Sequence, residues 1–81
     1  MDQIGKVTHY YDKLGVAIVG LSKGSIKVGD SLKFQHGEDE FTQKVESLQI
    51  ERESVDSVKK GDAFGLKVDK PVKPGYLVFA V

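Results

Sequence analysis

The residues of this chain that could do chemistry are its carboxylates, two histidines and one glycine-rich segment. That segment, "GSIKVGDS" at residues 24–31, differs by one residue from the phosphate-binding pattern G-x-x-x-x-G-K-[ST], because Asp30 stands where the lysine belongs. A phosphate loop also needs a helix directly after it, so that backbone N–H groups face the anion. Here the alternating "SLKF" follows and predicts a strand, and an aspartate would repel phosphate. The segment therefore predicts a turn, and we expect no nucleotide site.

The same turn pattern occurs three times, as "IKVGD", "VKKGD" and "VKPGY". Each copy has an aliphatic residue, a lysine, a variable residue and a glycine. In the third copy, Pro74 and Gly75 are typical of a type II turn, in which the glycine takes a positive φ. Gly29 and Gly61 hold the equivalent place in the other copies. We expect the aliphatic residue of each copy to close one end of a small core.

The carboxylates and histidines allow a structural and a functional interpretation. Asp30 and Asp62 each follow a turn glycine, where an aspartate can accept hydrogen bonds from backbone N–H groups and fix the turn. Glu46 could accept a hydrogen bond from a ribose hydroxyl or a partner amide, or it could be a solvated carboxylate. His9 and His36 have no cysteine partner and no helical spacing, so we expect surface histidines and no metal site. With no G-x-S-x-G pattern either, we expect no catalytic activity and no cofactor.

A cluster of aromatic residues could stack on nucleic-acid bases. Tyr10, Tyr11 and Phe34 would form the platform, with Lys13 and Lys33 near them. Because Tyr10 and Tyr11 are adjacent in a predicted strand, they point to opposite faces and only one of them can lie in the core. The exposed tyrosine would either stack on a base or cap an open end of the domain.

Charge and composition exclude several function classes. The 81 residues include twelve basic and twelve acidic side chains, and Arg52 is the single arginine. Strong nonspecific nucleic-acid binding needs a basic excess, so we do not expect it. The N-terminus lacks a signal-peptide pattern, and no apolar run approaches the roughly 20 residues that span a bilayer. Because there is also no cysteine, we expect one soluble cytoplasmic domain, residues 1–81, without membrane contact.

The alternation of apolar and polar residues predicts an all-β domain. We expect a closed or nearly closed antiparallel β-barrel of about six strands. The nearly all-apolar "GVAIVGL" predicts a strand that is covered on both faces. The predicted strands are "QIGKVTHYY", "GVAIVGL", "SLKFQ", "FTQKVESLQI", "DAFGLKV" and "YLVFAV".

Two segments depart from simple alternation. The apolar residues of "FTQKVESLQI" change face along the strand, which predicts a β-bulge near Glu46–Ser47. The segment "SVDSVKKG" predicts a helix of one or two turns, with Ser54 as its N-cap and Gly61 at its end.

The order of these turns and strands resembles the second domain of the translational GTPases, the β-barrel that follows the G domain in elongation factor Tu. The similar segments are "GVAIVGLSKGSIKVGDSLKF", "KVESLQ", "VKKGDAFGLKV" and "VKPGYLVFAV", and the resemblance extends from Ile4 to Val81. It rests on turn glycines and core aliphatic residues, so it implies the barrel more specifically than an activity. Because 81 residues are too few for a G domain, we expect no GTP hydrolysis by them.

The resemblance also implies a set of binding residues. In elongation factor Tu this domain helps to hold the aminoacylated 3′ end of tRNA through two acidic residues and an arginine. Glu46 falls on the first acidic position and Asp62 on the second. The arginine position falls on Leu14, and the adjacent Lys13 does not match the motif. The implied function is a non-catalytic module that contacts tRNA, the ribosome or a translation factor, with Glu46, Asp62, Tyr11 and Lys13 as the candidate contacts.

A second resemblance implies an alternative function. The same barrel resembles a C-terminal module of collagenase-like peptidases, whose "F-x-Q-x-V-x-S" strand is similar to residues 41–47 here. This implies a protein–protein adaptor, or an accessory domain that docks on an enzyme such as a collagenase-like peptidase. The alternative predicts an exposed apolar patch around Tyr11, Val19 and Phe79, and no salt-sensitive affinity for RNA.

Overall fold

The computed structural model describes residues 3–51 and 53–81, so Arg52 lies outside the described residues. Within these ranges the chain forms ten β-strands and no helix. They are β1 (Gln3–Tyr11), β2 (Val16–Leu21), β3 (Ser25–Lys27), β4 (Ser31–His36), β5 (Asp39–Lys44), β6 (Leu48–Ile50), β7 (Glu53–Val55), β8 (Ser57–Lys59), β9 (Ala63–Lys67) and β10 (Leu77–Ala80). No helix that could cross a membrane is present in the part of the chain that the structure describes.

The strands form one large sheet and one small one. The large sheet has eight strands in the order β5-β4-β10-β1-β2-β9-β6-β7, and the small sheet pairs β3 with β8. Neighbouring strands are antiparallel. The predicted all-β class is confirmed. A closed barrel of about six strands is not, because the large sheet ends at β5 and β7, which do not pair with each other among the described residues.

One continuous core lies between the curved faces of these strands. Phe34 is completely buried and stacks on Phe41, with 5.1 Å between the ring centroids. The strands predicted at "SLKFQ" and "DAFGLKV" are confirmed as β4 and β9. The buried hydrophobic residues of these two segments are Leu32, Phe34, Phe64, Leu66 and Val68.

The predicted helix in "SVDSVKKG" is wrong, because its residues lie in β7 and β8. Val55 pairs with Leu48 of β6, and Val58 pairs with Ile26 of β3. Each valine thus finds a neighbouring strand, whereas a lone helical turn would have left its polar backbone unpaired at both ends. Valine and serine are also weak helix formers, so the local preference for a helix was small.

The predicted bulge near Glu46–Ser47 is also wrong, because the segment forms two strands. β5 ends at Lys44 and β6 begins at Leu48. Between them, the N–H of Val45 donates to the carbonyl of Asp30 at 2.7 Å, and the carbonyl of Val45 accepts from the N–H of Gly29 at 2.9 Å. The apolar residues of the segment change face because its two strands have different neighbours. β5 pairs with β4, whereas β6 pairs with β7 and β9.

The side chain of Gln43 joins two separate parts of the sheet. Gln43 is a buried polar residue on β5, at one end of the sheet order. Its Nε2 donates to the carbonyl of Lys67 at 2.9 Å, and its Oε1 accepts from the N–H of Asp69 at 2.8 Å. The amide therefore hydrogen-bonds the backbone at the end of β9 and just after it, as a neighbouring strand would.

Two of the three repeated turns are equivalent in structure. In the first, the N–H of Lys27 donates to Oδ2 of Asp30 at 3.0 Å; in the second, the N–H of Lys59 donates to Oδ2 of Asp62 at 3.0 Å. The predicted role of both aspartates in fixing their turns is therefore confirmed. β3 and β8 lie side by side with Ile26 opposite Val58, so the two turns are related by an approximate twofold axis.

The glycines and aliphatic residues of the turns also behave as predicted. Gly29, Gly61 and Gly75 have φ values of 103°, 96° and 105°, a region that residues with a Cβ rarely adopt. The aliphatic residues of the three patterns are buried and belong to the core: Ile26, Val58 and Val72.

We predict similar losses of stability when either turn aspartate is replaced. Asp30→Ala and Asp62→Ala should each lower the free energy of unfolding by about 0.5–1.5 kcal/mol, since each removes one hydrogen bond to a backbone N–H. Urea unfolding checks this, with Asp39→Ala as a control at an exposed carboxylate of β5. A difference between the two variants larger than about 1 kcal/mol would contradict the equivalence of the turns.

Candidate binding groove

The structure does not bring the two acidic candidates into one site. Glu46 is exposed in the connection between β5 and β6. Asp62 is half-buried and lines a depression of about 520 Å³ with the equivalent Asp30, and Glu46 is not among the residues that line it. Lys27 and Lys59 line the same depression, so its formal charge is balanced.

The base-stacking platform inferred from the sequence is wrong in one of its members. Phe34 is completely buried and cannot offer a face to a base. Lys33 forms an ion pair with Glu40, with 3.0 Å between Nζ and Oε2. The opposite orientations expected for the two tyrosines are confirmed, since Tyr10 packs against the core and Tyr11 is half exposed.

The two histidines are exposed and lie on different strands. His9 is exposed on β1, and His36 stacks on Tyr76 with 5.0 Å between ring centroids. Among the described residues there is no group of three or more histidines and carboxylates that could hold a metal ion. A more apolar surface lies on another part of the domain.

That surface is a groove on the outer face of β2, β9 and β6. Its larger part has a volume of about 430 Å³. A smaller depression of about 260 Å³ adjoins it, shares Leu14, Val16, Gln49 and Gly65 with it, and adds Ser47 and Lys67. We call the two depressions together the apolar groove. Its main lining residues are Tyr11, Leu14, Val16, Ile18, Gln49 and Gly65.

The apolar character of the groove comes from the outward face of β2. Ala17, Val19 and Leu21 are buried, whereas Val16, Ile18 and Gly20 are only half-buried. The prediction that this strand is covered on both faces is therefore wrong. Its second face carries aliphatic side chains that the described part of the chain covers only partly.

Gly65 of β9 gives the groove its depth. It lies opposite Ile18 on one side and opposite Gln49 on the other. A Cβ built at Gly65 would meet Val16 Cγ1 at 3.4 Å and Ile18 Cδ1 at 3.5 Å, so a side chain there would fill the space between the flanking residues. The missing side chain leaves a trough between the neighbouring side chains of β2 and β6.

The β1–β2 turn forms one wall of the groove. Tyr11 and Leu14 are 50% and 67% exposed, so this turn presents two large apolar side chains to solvent. Lys13, the remaining candidate from the sequence, is exposed in the same turn. Leu14, on which the sequence resemblance places the arginine of the elongation-factor motif, is thus part of the apolar wall.

The exposed patch predicted from the sequence is correct in one residue of three. Tyr11 lines the groove, but Val19 is completely buried, and Phe79 is half-buried on β10 and does not line the groove. The error at Val19 has a simple cause, since alternation along β2 places Val16 and Ile18 outside. If β2 is taken to be covered on one face only, the alternation along its sequence places Val16 and Ile18 on the outward face.

The two ends of the groove carry opposite charges. Glu51 lies at the Ala63 end, and Lys67 lies at the other end beside Ser47. Within the described ranges, neither side chain forms an ion pair. Glu51 is also the only described residue other than glycine with a positive φ, 52°, at the turn that follows β6.

Comparison with solved structures finds the same fold in the C-terminal domain of a Geobacillus thermoleovorans protein described as a U32 peptidase. The selenomethionine variant of that domain matches with a TM-score of 0.89 and 25% sequence identity, over 96% of this chain and 98% of the other. A second structure of the domain matches with a TM-score of 0.90 and 24% identity, over 99% of this chain and 92% of the other. No protein-family model and no curated protein matches the chain.

These matches support one of the two resemblances seen in the sequence. They agree with the similarity to a C-terminal module of collagenase-like peptidases. They do not show the similarity to the second domain of elongation factor Tu. The chain thus resembles a peptidase C-terminal domain along nearly its whole length.

Proposed function

We propose that this chain is a non-catalytic accessory domain that docks on a peptidase. The observation that carries the proposal is the match to the C-terminal domain of a U32 peptidase, which extends over 96% of this chain. Because the match covers nearly all of both chains, the likeness is to a whole C-terminal domain and not to a shared fragment.

The surface chemistry supports docking on a protein. Tyr11 and Leu14 are large apolar side chains exposed beside the half-buried Val16 and Ile18. An exposed apolar surface of this kind is typical of a protein-binding site. Aromatic residues such as Tyr11 are also enriched where proteins meet.

Binding to RNA is the competing function from the sequence, and the described charges favour it less. The depression that holds Asp62 pairs two aspartates with two lysines, which gives it no basic excess. The position of the motif arginine is taken by Leu14, an apolar residue that cannot contact phosphate. Binding of RNA or of a translation factor in place of a peptidase would therefore count against the proposal.

Affinity purification from the source cells tests the proposal, with each sample divided into nuclease-treated and untreated halves. We expect a peptidase to co-purify in both halves at the same amount. Leu14→Glu should reduce its recovery at least about fivefold, because a carboxylate would be buried in an apolar contact. Thr42→Glu, at an exposed site on β5, should leave the recovery unchanged.

The result against the proposal is equally definite. Recovery of ribosomal proteins or tRNA that disappears with nuclease, without a peptidase in either half, would establish the RNA-dependent function instead.

A further inference from the structure

We infer that the apolar groove binds an extended segment of the partner protein that carries an apolar side chain between a basic and an acidic one. The inference deepens the proposed function, on which it rests for the source of the segment. It follows from the shape of the groove and from the separation of its charges.

The shape fits a chain in extended conformation. The floor is the single strand β9, with β2 on one side and β6 on the other. At Gly65 the floor has no side chain, and Ile18 and Gln49 flank it directly in the strand register. One apolar side chain of the bound segment would occupy this position against Val16 and Ile18.

The charges set the chemistry of the two flanking positions. Lys67 lies four residues from Ala63 along β9, and Glu51 lies at the Ala63 end. Four residues of strand cover about 13 Å. In an extended segment, side chains at positions 1, 3 and 5 point to the same face and cover the same length. A cation at position 1 would thus meet Glu51 while an anion at position 5 meets Lys67.

The test uses peptides of defined sequence and the ¹⁵N-labelled chain. The probe is Lys-Thr-Leu-Thr-Glu with an acetylated N-terminus and an amidated C-terminus, so that only its side chains are charged. The control peptide, Thr-Lys-Leu-Glu-Thr, has the same composition with its charges moved to the opposite face. We expect the probe to shift the amide signals of Ile18, Gly65 and Lys67, and the control peptide to bind several-fold more weakly.

A charge reversal at one end of the groove should change the preference. Lys67→Glu should weaken binding of Lys-Thr-Leu-Thr-Glu about three- to tenfold and strengthen binding of Lys-Thr-Leu-Thr-Lys by a similar factor. Lys44→Glu changes the net charge equally at an exposed site on β5, outside the groove, and should leave both affinities unchanged. Both lysines are exposed, so neither variant should affect folding.

Three results would overturn the inference. The first is the absence of amide shifts in the groove at about 10 mM peptide, beyond the range of weak specific binding. The second is the same change of peptide preference in Lys44→Glu. It would show that the net charge of the chain, and not the position of Lys67, causes the effect. The third is a shift of the groove signals when the chain alone is concentrated, because the occupant would then be a second copy of this chain.

The inference and the proposed function can fail separately. If the peptides bind with the expected charge preference but no peptidase co-purifies, the groove is a peptide site and the proposed function is wrong. If a peptidase co-purifies but the peptides do not shift the amide signals of the groove, the proposed function stands and the inference of a bound extended segment is wrong.

Discussion

Replacing Gln43 by methionine is expected to lower the free energy of unfolding by about 2–4 kcal/mol, because two partly buried backbone groups lose their partner. These groups are the carbonyl of Lys67 and the N–H of Asp69, held at 2.9 Å and 2.8 Å by the two ends of the Gln43 amide. Methionine has a similar length and volume, so little of the loss would come from a cavity. In a domain of this size, the loss corresponds to a decrease of roughly 8–32 °C in Tm.

Urea unfolding and a thermal scan measure this effect. The matched control is Gln49→Met, at an exposed glutamine on β6, which should change stability by less than about 0.5 kcal/mol. Hydrogen exchange adds a local measurement, since the amide of Asp69 should lose its protection in the Gln43 variant. A decrease of less than about 0.5 kcal/mol in the free energy of unfolding of Gln43→Met would contradict this. It would show that water takes over the hydrogen bonds of the amide and that Gln43 does not hold the sheet together.

Gly5→Ala is expected to lower the free energy of unfolding by about 1–3 kcal/mol, although alanine usually stabilises a strand relative to glycine. A Cβ at Gly5 would lie 2.7 Å from the carbonyl oxygen of Gly20 and 3.1 Å from Val19 Cγ1. The first neighbour is backbone, which cannot rotate away, so β1 and β2 would have to separate. Gly5 lies opposite Leu21 in this pair, next to an irregularity in the register between β1 and β10.

Gly20→Ala in the same strand pair is the control for this clash. A Cβ at Gly20 would meet only Thr8 Cγ2, at the ordinary distance of 3.9 Å, so the change should be neutral or slightly stabilising. Chemical denaturation of the two variants, measured in parallel, checks the difference. Equal stability of Gly5→Ala and Gly20→Ala would contradict the close approach of the two strands.

The elements predicted well from the sequence were those with a strong local signal. β1 was predicted over its full length, and the positive φ of Gly29, Gly61 and Gly75 was predicted from the turn pattern alone. In each case the residues that specify the structure are adjacent in the chain. A turn glycine needs no distant partner to explain it.

The errors arose where distant strands decide the structure. Val58 has no helical partner but finds Ile26 on the distant strand β3, whereas Val55 pairs with Leu48 in the hairpin of β6 and β7. The role of Gln43 could not be predicted either, since its two backbone partners lie at the end of β9 and just after it, far from Gln43 in the chain. One signal could have identified it: a glutamine at a position that alternates with the core residue Val45 needs hydrogen bonds when buried.

The groove was only partly predictable for the same reason. The sequence identified Tyr11 as an exposed aromatic residue next to a turn, and the structure places it on the groove wall. The charges at Glu51 and Lys67 come together with the apolar residues only because β6 and β9 are neighbours in the sheet. Sequence spacing alone contains no information about that pairing.

The central claim is that the apolar groove of this chain contacts a peptidase, and a photo-crosslink from Leu14 tests it most directly. Benzoylphenylalanine at this 67% exposed position would react with whatever covers the groove in the source cells, and the same probe at Thr42 on β5 serves as the control. We predict an adduct with a peptidase from position 14 and none from position 42, identified by mass spectrometry. An adduct of position 14 with RNA or a ribosomal protein, or the same peptidase adduct from both positions, would contradict the claim.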